Sequence, residues 1–211
     1  MKIEVKNVSK SFKNVEILHD VSMSFESGNI YSLVGTNGSG KSVFLKILCG
    51  FYNPTSGEIL QDSVNYIKNK SFPKSTRCLI EKPQFLPELS GLENLQLLAS
   101  IQNNITNQEI LDTLKLVHLD KEQNKKYSNY SLGMKQKLGI AQVLMEDPEL
   151  IILDEPFNGI EKQTAIELRN VLKDLANKNK IIVIASHIEE DIKKLSDQVF
   201  EFDSGTVTRI K

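Results

Sequence analysis

Ile30-Tyr31-Ser32-Leu33-Val34 runs directly into Gly35-Thr36-Asn37-Gly38-Ser39-Gly40-Lys41-Ser42, and that loop runs directly into Val43-Phe44-Leu45-Lys46-Ile47-Leu48. An apolar strand, a glycine-rich loop and an apolar-periodic helix, in that order, turn a match to G-x-x-x-x-G-K-[ST] into an expected phosphate site. Glycines let backbone N–H groups turn inward around an anion, and the following helix adds the positive end of its dipole. In this reading Gly35, Thr36, Asn37, Gly38, Ser39 and Gly40 form the cradle, with Val43 at its helical edge. Lys41 reaches the β- and γ-phosphates of a nucleotide, and the Ser42 hydroxyl ligates magnesium. The competing reading is a glycine-rich turn that merely precedes a helix.

Composition narrows the classes around that loop. A chain of 211 residues suits one domain, or one core carrying an inserted subdomain. Lys plus Arg total 26 against 27 Asp plus Glu, a net charge of −1, so no global basic field attracts nucleic acid, and no nucleic-acid partner is expected. The longest apolar runs, such as Leu150 to Leu153 and Ile181 to Ala185, fall far short of the roughly 18 residues that span a bilayer. The opening MKIEVKNVSKSF alternates polar and apolar residues and lacks the apolar stretch of a signal peptide, so the default expectation is a cytoplasmic location. Cys49 and Cys78 have neither metal-ligand nor redox spacing and read as small core hydrophobes rather than disulfide partners.

The rest of the chain reads as α/β. Residues 2 to 33 alternate in short segments broken at Glu26-Ser27-Gly28, which predicts antiparallel strands leading into the loop strand. Asn53-Pro54-Thr55-Ser56-Gly57 reads as a loop. Two capping boxes, Ser90 with Glu93 and Thr106 with Glu109, announce helices, and residues 91 to 118 look like a small helical insertion. A buried strand at Leu150 to Leu153, a helix from about Lys162 to Ala176, a buried strand at Ile181 to Ala185 and a hairpin around Asp203-Ser204-Gly205 follow.

Three buried runs end in polar residues: Val34 leads into the glycine loop, Leu153 into Asp154-Glu155, and Ala185 into Ser186-His187. Open parallel sheets bind ligands at the carboxyl edge of their strands, so these tips are expected to converge on one nucleotide. Seen alone, Asp154 and Glu155 would be two acids at a strand-to-helix turn, and His187 a hydrogen-bonded surface or core histidine. Beside the phosphate loop they take roles. Asp154 holds magnesium, Glu155 orients or deprotonates the attacking water, and His187 contacts the γ-phosphate and positions that water.

Tyr130 to Ala141 reads YSLGMKQKLGIA, and LMEDPELIILDEPFNGIE follows. This pairing resembles the signature motif and magnesium-binding strand of the ATP-binding cassette (ABC) ATPases, and the resemblance covers nearly the whole chain. It implies a P-loop NTPase core with a mainly parallel sheet, an N-terminal antiparallel β subdomain, and a helical subdomain at about 85–145 inserted into a single domain spanning 1–211. Ser131 and Gly133 match the signature serine and glycine, whereas Tyr130, Leu132 and Met134 replace the commoner leucine, glycine and glutamine. The variant YSLGMKQ is similar to the ATPase subunits of bacterial exporters of the bacitracin and lantibiotic-immunity kind. Phe12 falls where such proteins carry the aromatic that stacks on adenine; an ordinary core aromatic is the alternative.

Ser131 is also a good N-cap, so the first turn of the following helix offers outward N–H groups. The resemblance implies that this helix end faces the γ-phosphate of ATP bound to a second copy, closing a head-to-tail dimer that needs ATP. It further implies a separate transmembrane permease, docked near Glu81 to Leu89, and a peripheral location on the inner face of the plasma membrane. The metal-touching glutamine usual in the loop before the helical insertion aligns with Glu81, with Gln84 three residues on as the other choice, and the aspartate usual after the catalytic glutamate is Glu161. The expected activity is ATP hydrolysis driving export of an antimicrobial peptide or amphipathic drug. A soluble ABC ATPase acting as a motor or scaffold shares every one of these residues.

Overall fold

The alternating N-terminal segment forms two long antiparallel strands, β1 (Lys2–Phe12) and β2 (Val15–Glu26), with Lys2 opposite Glu26 and Val5 opposite Met23. Period-two alternation puts Ile3, Val5, Val21, Met23 and Phe25 on one buried face. The computed structural model describes residues 1–211 and continues with β3 (Asn29–Val34), α1 (Lys41–Leu48), β4 (Ser56–Gln61), β5 (Val64–Asn65) and β6 (Thr76–Leu79). Then come α2 (Gly91–Gln102), α3 (Asn107–Leu116), α4 (Leu132–Leu144), β7 (Leu150–Asp154), α5 (Lys162–Asn177), β8 (Ile181–Ala185), α6 (Glu189–Leu195), β9 (Gln198–Asp203) and β10 (Thr206–Arg209).

Two sheets result. The larger has the order β10-β9-β3-β8-β7-β6, parallel except for the β9–β10 hairpin, and the smaller is antiparallel with the order β2-β1-β4-β5. Strand β4 corrects one expectation. Ser56 and Gly57 begin a strand instead of completing a loop, because the backbone there pairs with β1, Lys6 opposite Glu58 and Ser9 opposite Ser56. β5, β6 and α6 carry too short a pattern to be read from sequence.

Both faces of the parallel sheet are covered, which is why β7 and β8 are apolar throughout. Ile151, Leu153, Ile182 and Ile184 pack on the side of α4 and α5; Leu150, Ile152, Ile181 and Val183 pack on the side of α1 and the antiparallel sheet. Helix α5 meets the first core with Ala165, Leu168, Leu172 and Ala176, one stripe at helical spacing. Helix α1 buries Phe44, Leu45, Ile47 and Leu48 in the second. Between β6 and β7, helices α2, α3 and α4 pack on one another, and both predicted capping boxes are formed. Cys49 is buried and Cys78 half-buried, both as free thiols.

Candidate active site

The central strands β3, β8 and β7 lie side by side and parallel, with Leu33 opposite Ala185 and Leu153 opposite Ile184, so their carboxyl ends share one edge. That register brings the three predicted tips together. At the end of β3 the loop folds back on itself and Gly40 caps α1 at φ 105°. This left-handed conformation is open to glycine at little cost, and a Cβ at that position would lie 2.7 Å from Leu18 Cδ2. The Lys41 ammonium donates to the carbonyl oxygens of Gly35 (2.8 Å) and Thr36 (2.9 Å) and to Ser39 Oγ (3.3 Å). Burial pushes the pKa of Lys41 below the ordinary lysine value, against the nearby charges of Glu155 and Asp154, which pull it up.

Beside the loop, Ser42 Oγ donates to Asp154 Oδ2 at 3.0 Å. Burial holds the Asp154 carboxyl above its usual range; the Ser42 hydrogen bond opposes that shift and the neighbouring Glu155 charge adds to it. A hydroxyl and a carboxylate side by side are hard oxygen donors. No group of three or more His, Cys, Asp or Glu side chains is assembled to hold a metal, so the protein supplies too few ligands for a closed cage. Such a partial oxygen site fits magnesium, which keeps waters and takes substrate phosphates as its remaining ligands.

Glu155 follows β7 in a left-handed conformation, φ 48°, costing on the order of 1 kcal/mol for a non-glycine residue. Its amide donates to the Ala185 carbonyl at 2.8 Å and its carbonyl accepts from Gln136 Nε2 at 3.2 Å, so two other elements fix the turn. The side chain meets His187: Glu155 Oε1 lies 2.7 Å from His187 Nδ1. Its second oxygen, Oε2, is buried and has no protein partner. A buried carboxylate oxygen without a donor is an acceptor held ready for a group the protein does not supply.

A cavity of about 780 Å³ opens over these residues, lined by Asn37, Gly38, Gly40, Lys41, Ser42, Val43, Glu81, Asp154 and Glu155 among the expected set. Ile17, Lys82, Leu132, Gln136 and Asn158 also line it and were not expected. One of them carried a legible signal. Gln136 stands on α4 in line with Ile140 and Val143, and a buried amide on an apolar stripe must have a partner. Glu81 reaches this cavity, whereas Gln84 lines a neighbouring cavity of about 420 Å³ with Phe85, Tyr127 and Lys135. The Glu81 carboxylate is paired with Lys46 at 2.5 Å, and that contact raises the lysine's pKa.

His187 stands outside that lining and meets the site through the Glu155 carboxylate, and two other expected groups lie elsewhere. Phe12, 40% exposed, is not part of the cavity lining; its ring sits edge-on to Tyr52 at 5.4 Å with the Lys10 ammonium 4.8 Å from its centroid, and Ile17 stands at the cavity instead. Ser131 caps α4, accepting from the Met134 amide at 3.2 Å, and neither it nor Gly133 touches the cavity. Gly133 has its own reason to be glycine: a Cβ there would lie 2.5 Å from the Gly159 carbonyl oxygen.

Comparison with known proteins follows the same lines. The family model described as ABC transporter matches residues 18–158. An uncharacterised ABC transporter ATP-binding protein of Bacillus subtilis (strain 168) is 39% identical over 203 residues, 96% of this chain and 93% of the relative. The bacitracin transport ATP-binding protein of Enterococcus faecalis is 36% identical over 205 residues, 96% of this chain and 67% of the relative. Among solved structures, a dimeric ATP-binding cassette bound to ADP and phosphate superposes with a TM-score of 0.88 at 22% identity, covering 99% of both chains, and so shares the fold. With the family model matching well over half of it and a relative of 39% identity spanning nearly all of it, the chain belongs to the ABC transporter family.

Proposed function

We propose that this chain is the ATP-binding and ATP-hydrolysing subunit of a membrane exporter of an antimicrobial peptide or amphipathic drug. The observation that carries the reading is the pair of contacts at one sheet edge, Ser42 Oγ with Asp154 Oδ2 at 3.0 Å and Glu155 Oε1 with His187 Nδ1 at 2.7 Å, beside the Lys41 loop. Residues Gly35 to Val43 cradle the triphosphate and Lys41 neutralises its terminal charge. Magnesium, held by Ser42 and Asp154 with Glu81 beside them, supplies charge neutralisation at the β- and γ-phosphates when bound. Glu155 takes a proton from water as the water oxygen attacks the γ-phosphorus in line and the bond to the ADP oxygen breaks. His187 holds the Glu155 carboxylate and donates toward the γ-phosphate. Phe12 stacks on adenine once its ring turns from Tyr52.

The chain is one nucleotide-binding domain with the helical subdomain at about 85–145. No helix in it is long and apolar enough to cross a membrane. In this reading a separate transmembrane permease carries the solute path, and the subunit sits against it on the cytoplasmic face of the plasma membrane. The cleft of about 420 Å³ lined by Pro83, Phe85, Pro87 and Tyr127 is the docking site for that permease. Ser131 and Gly133, at the exposed start of α4, face the ATP of a second copy in a head-to-tail dimer. The bacitracin relative supports the solute class. The test is Glu155→Gln, which is expected to bind ATP with unchanged affinity, accumulate as an ATP-dependent dimer in size-exclusion chromatography, and lose phosphate release by about 10³-fold; full turnover in that variant removes Glu155 from the mechanism. Co-purification of a polytopic membrane protein supports transport, and recovery of soluble partners alone overturns it.

A further inference from the structure

His187 is held loosely by its own side chain. The imidazole is 65% exposed, and Glu155 is its one hydrogen-bond partner, so its position depends on the backbone of Ser186 to Ile188. That backbone is tied to a buried charge pair on the far side of the turn. The Ser186 hydroxyl, 1% exposed, accepts from the Ile188 amide at 3.1 Å and donates to Asp191 Oδ2 at 2.9 Å. Asp191, also 1% exposed, receives Arg169 Nε at 2.8 Å and Nη2 at 2.6 Å on its other oxygen.

Arg169 has a second attachment. Its guanidinium carbon lies 5.1 Å from the ring centroid of Phe157, a buried residue two positions after Glu155. One guanidinium on α5 therefore touches the turn that follows Glu155 and, through Asp191 and Ser186, the turn that carries His187. Neither contact is with the cavity. Arg169 Nη1 is buried without a hydrogen-bond partner; Glu190 Oε1 approaches it at 3.9 Å, beyond bonding range. A buried ion pair is weak evidence for stability, since apolar residues of similar volume often replace one at no cost, and an unpartnered N–H makes this pair poorer still. What the fork supplies is direction, because a planar guanidinium fixes the orientation of a carboxylate and stacks on a ring at once.

We propose that Arg169 is a positioning residue for hydrolysis: through Asp191 and Ser186 on one side and Phe157 on the other, it sets the Glu155–His187 pair in register with the phosphate loop. The proposal rests on the hydrolytic reading of Glu155 and His187 given above.

The test is a double-mutant cycle on this chain with ATP and magnesium. Arg169→Lys keeps the charge and loses the fork; it is expected to lower kcat at least tenfold while KM for ATP changes less than threefold. Ser186→Ala, which cuts the link to His187 without unpairing a charge, is expected to lower kcat about threefold with the chain still folded by circular dichroism. If Arg169 sets this pair, Ser186→Ala/His187→Ala turns over no more slowly than His187→Ala alone, and Arg169→Lys/His187→Ala loses less than the product of its two single losses. Losses that multiply in both pairs, or a wild-type kcat in Arg169→Lys and Ser186→Ala, overturn the proposal. A wild-type kcat in His187→Ala removes the hydrolytic role of His187 itself and the proposal with it, an outcome recognisable because the parent single variant alone produces it.

Discussion

The helix starts at Ser90 and Thr106 and the strand ends at Val34, Asp154 and Ala185 face the same problem, polar groups left over where an element stops, and settle it in opposite ways. At α2, Ser90 Oγ accepts the Glu93 amide at 3.2 Å while Glu93 Oε2 accepts the Ser90 amide at 2.7 Å; at α3 the corresponding distances for Thr106 and Glu109 are 3.3 and 2.6 Å. Within four residues each box settles one first-turn amide and the amide of its own cap, with no partner from elsewhere in the chain. At the sheet edge the partners are distant in sequence, Ser42 with Asp154 and Glu155 with His187, and the account stays open: Glu155 Oε2 has no donor, and burial keeps Asp154 above its usual range. Completeness goes with stability, incompleteness with binding.

The sharpest break in that contrast comes from removing the charge at the open edge. Lys41→Ala is expected to weaken ATP binding by more than 10²-fold in isothermal titration calorimetry, equivalent to roughly 2.7 kcal/mol or more. The same substitution removes a partly buried ammonium whose desolvation offsets its contacts with the loop oxygens and with the nearby Glu155 and Asp154 charges, so the thermal midpoint of the nucleotide-free chain should hardly move. Wild-type affinity in that variant would take the loop out of the site.

A second break acts on the joint between α4 and the turn after Glu155. In Gly133→Ala the new methyl meets the Gly159 carbonyl oxygen at 2.5 Å, closer than packing tolerates, and neither the Cβ nor that backbone oxygen can turn aside by changing a rotamer. We expect a destabilisation of about 1–3 kcal/mol in denaturant unfolding, together with loss of the ATP-dependent dimer. An unchanged unfolding midpoint would mean that the two segments separate at little cost.

How much of this was legible before the fold is itself explained by the contrast. The capping boxes, the alternation of β1 and β2 and the apolar runs of β7 and β8 are local patterns, and each forms where the sequence places it. The convergence of Lys41, Asp154 and His187 was inferable because parallel strands gather their carboxyl ends, a rule of topology and not of any one segment. Asn158 and Ile17 on the cavity were not, since nothing nearby in sequence signals that the turn after Glu155 or β2 closes on the loop, and the amide of Gln136 on its apolar stripe signals a partner without saying which. Strand β4 was misjudged in part for the same reason: Asn53-Pro54-Thr55-Ser56-Gly57 has turn composition, and only pairing with β1 makes Ser56 and Gly57 extended. Phe12 shows the converse, a side chain whose sequence position pointed to the ligand and whose packing, against Tyr52, points away.

Asp154→Asn tests whether the open edge is held at a cost. Because burial raises the Asp154 pKa, its ionised form destabilises the nucleotide-free fold above that raised value, and the penalty fades as pH falls toward the unfolded value near 3.9. The amide should therefore raise the thermal midpoint at neutral pH by about 2 °C, with no gain below pH ~4, while magnesium-dependent ATP affinity falls about tenfold. A lower midpoint at neutral pH would mean that the Ser42 hydrogen bond outweighs desolvation.

The smallest effect belongs to the closed end. Thr106→Ala removes the side-chain acceptor for the Glu109 amide and leaves the return bond from the Thr106 amide to Glu109 Oε2 in place. The loss should be about 1 kcal/mol at neutral pH, read from urea unfolding, with kcat and KM unaltered. Glu109 is held below the usual carboxylate range by the backbone bond to Thr106 and then by its hydroxyl, so the cap is at full strength above pH ~4.3 and weakens as pH falls through the depressed value. Wild type and variant should both weaken in acid, and the gap between them should narrow only by the part carried by the Thr106 hydroxyl's own bond to Glu109 Oε2 at 2.8 Å. A change in turnover from so self-contained a substitution would show that α3 is coupled to the sheet edge, and that the division drawn between closed and open ends is too clean.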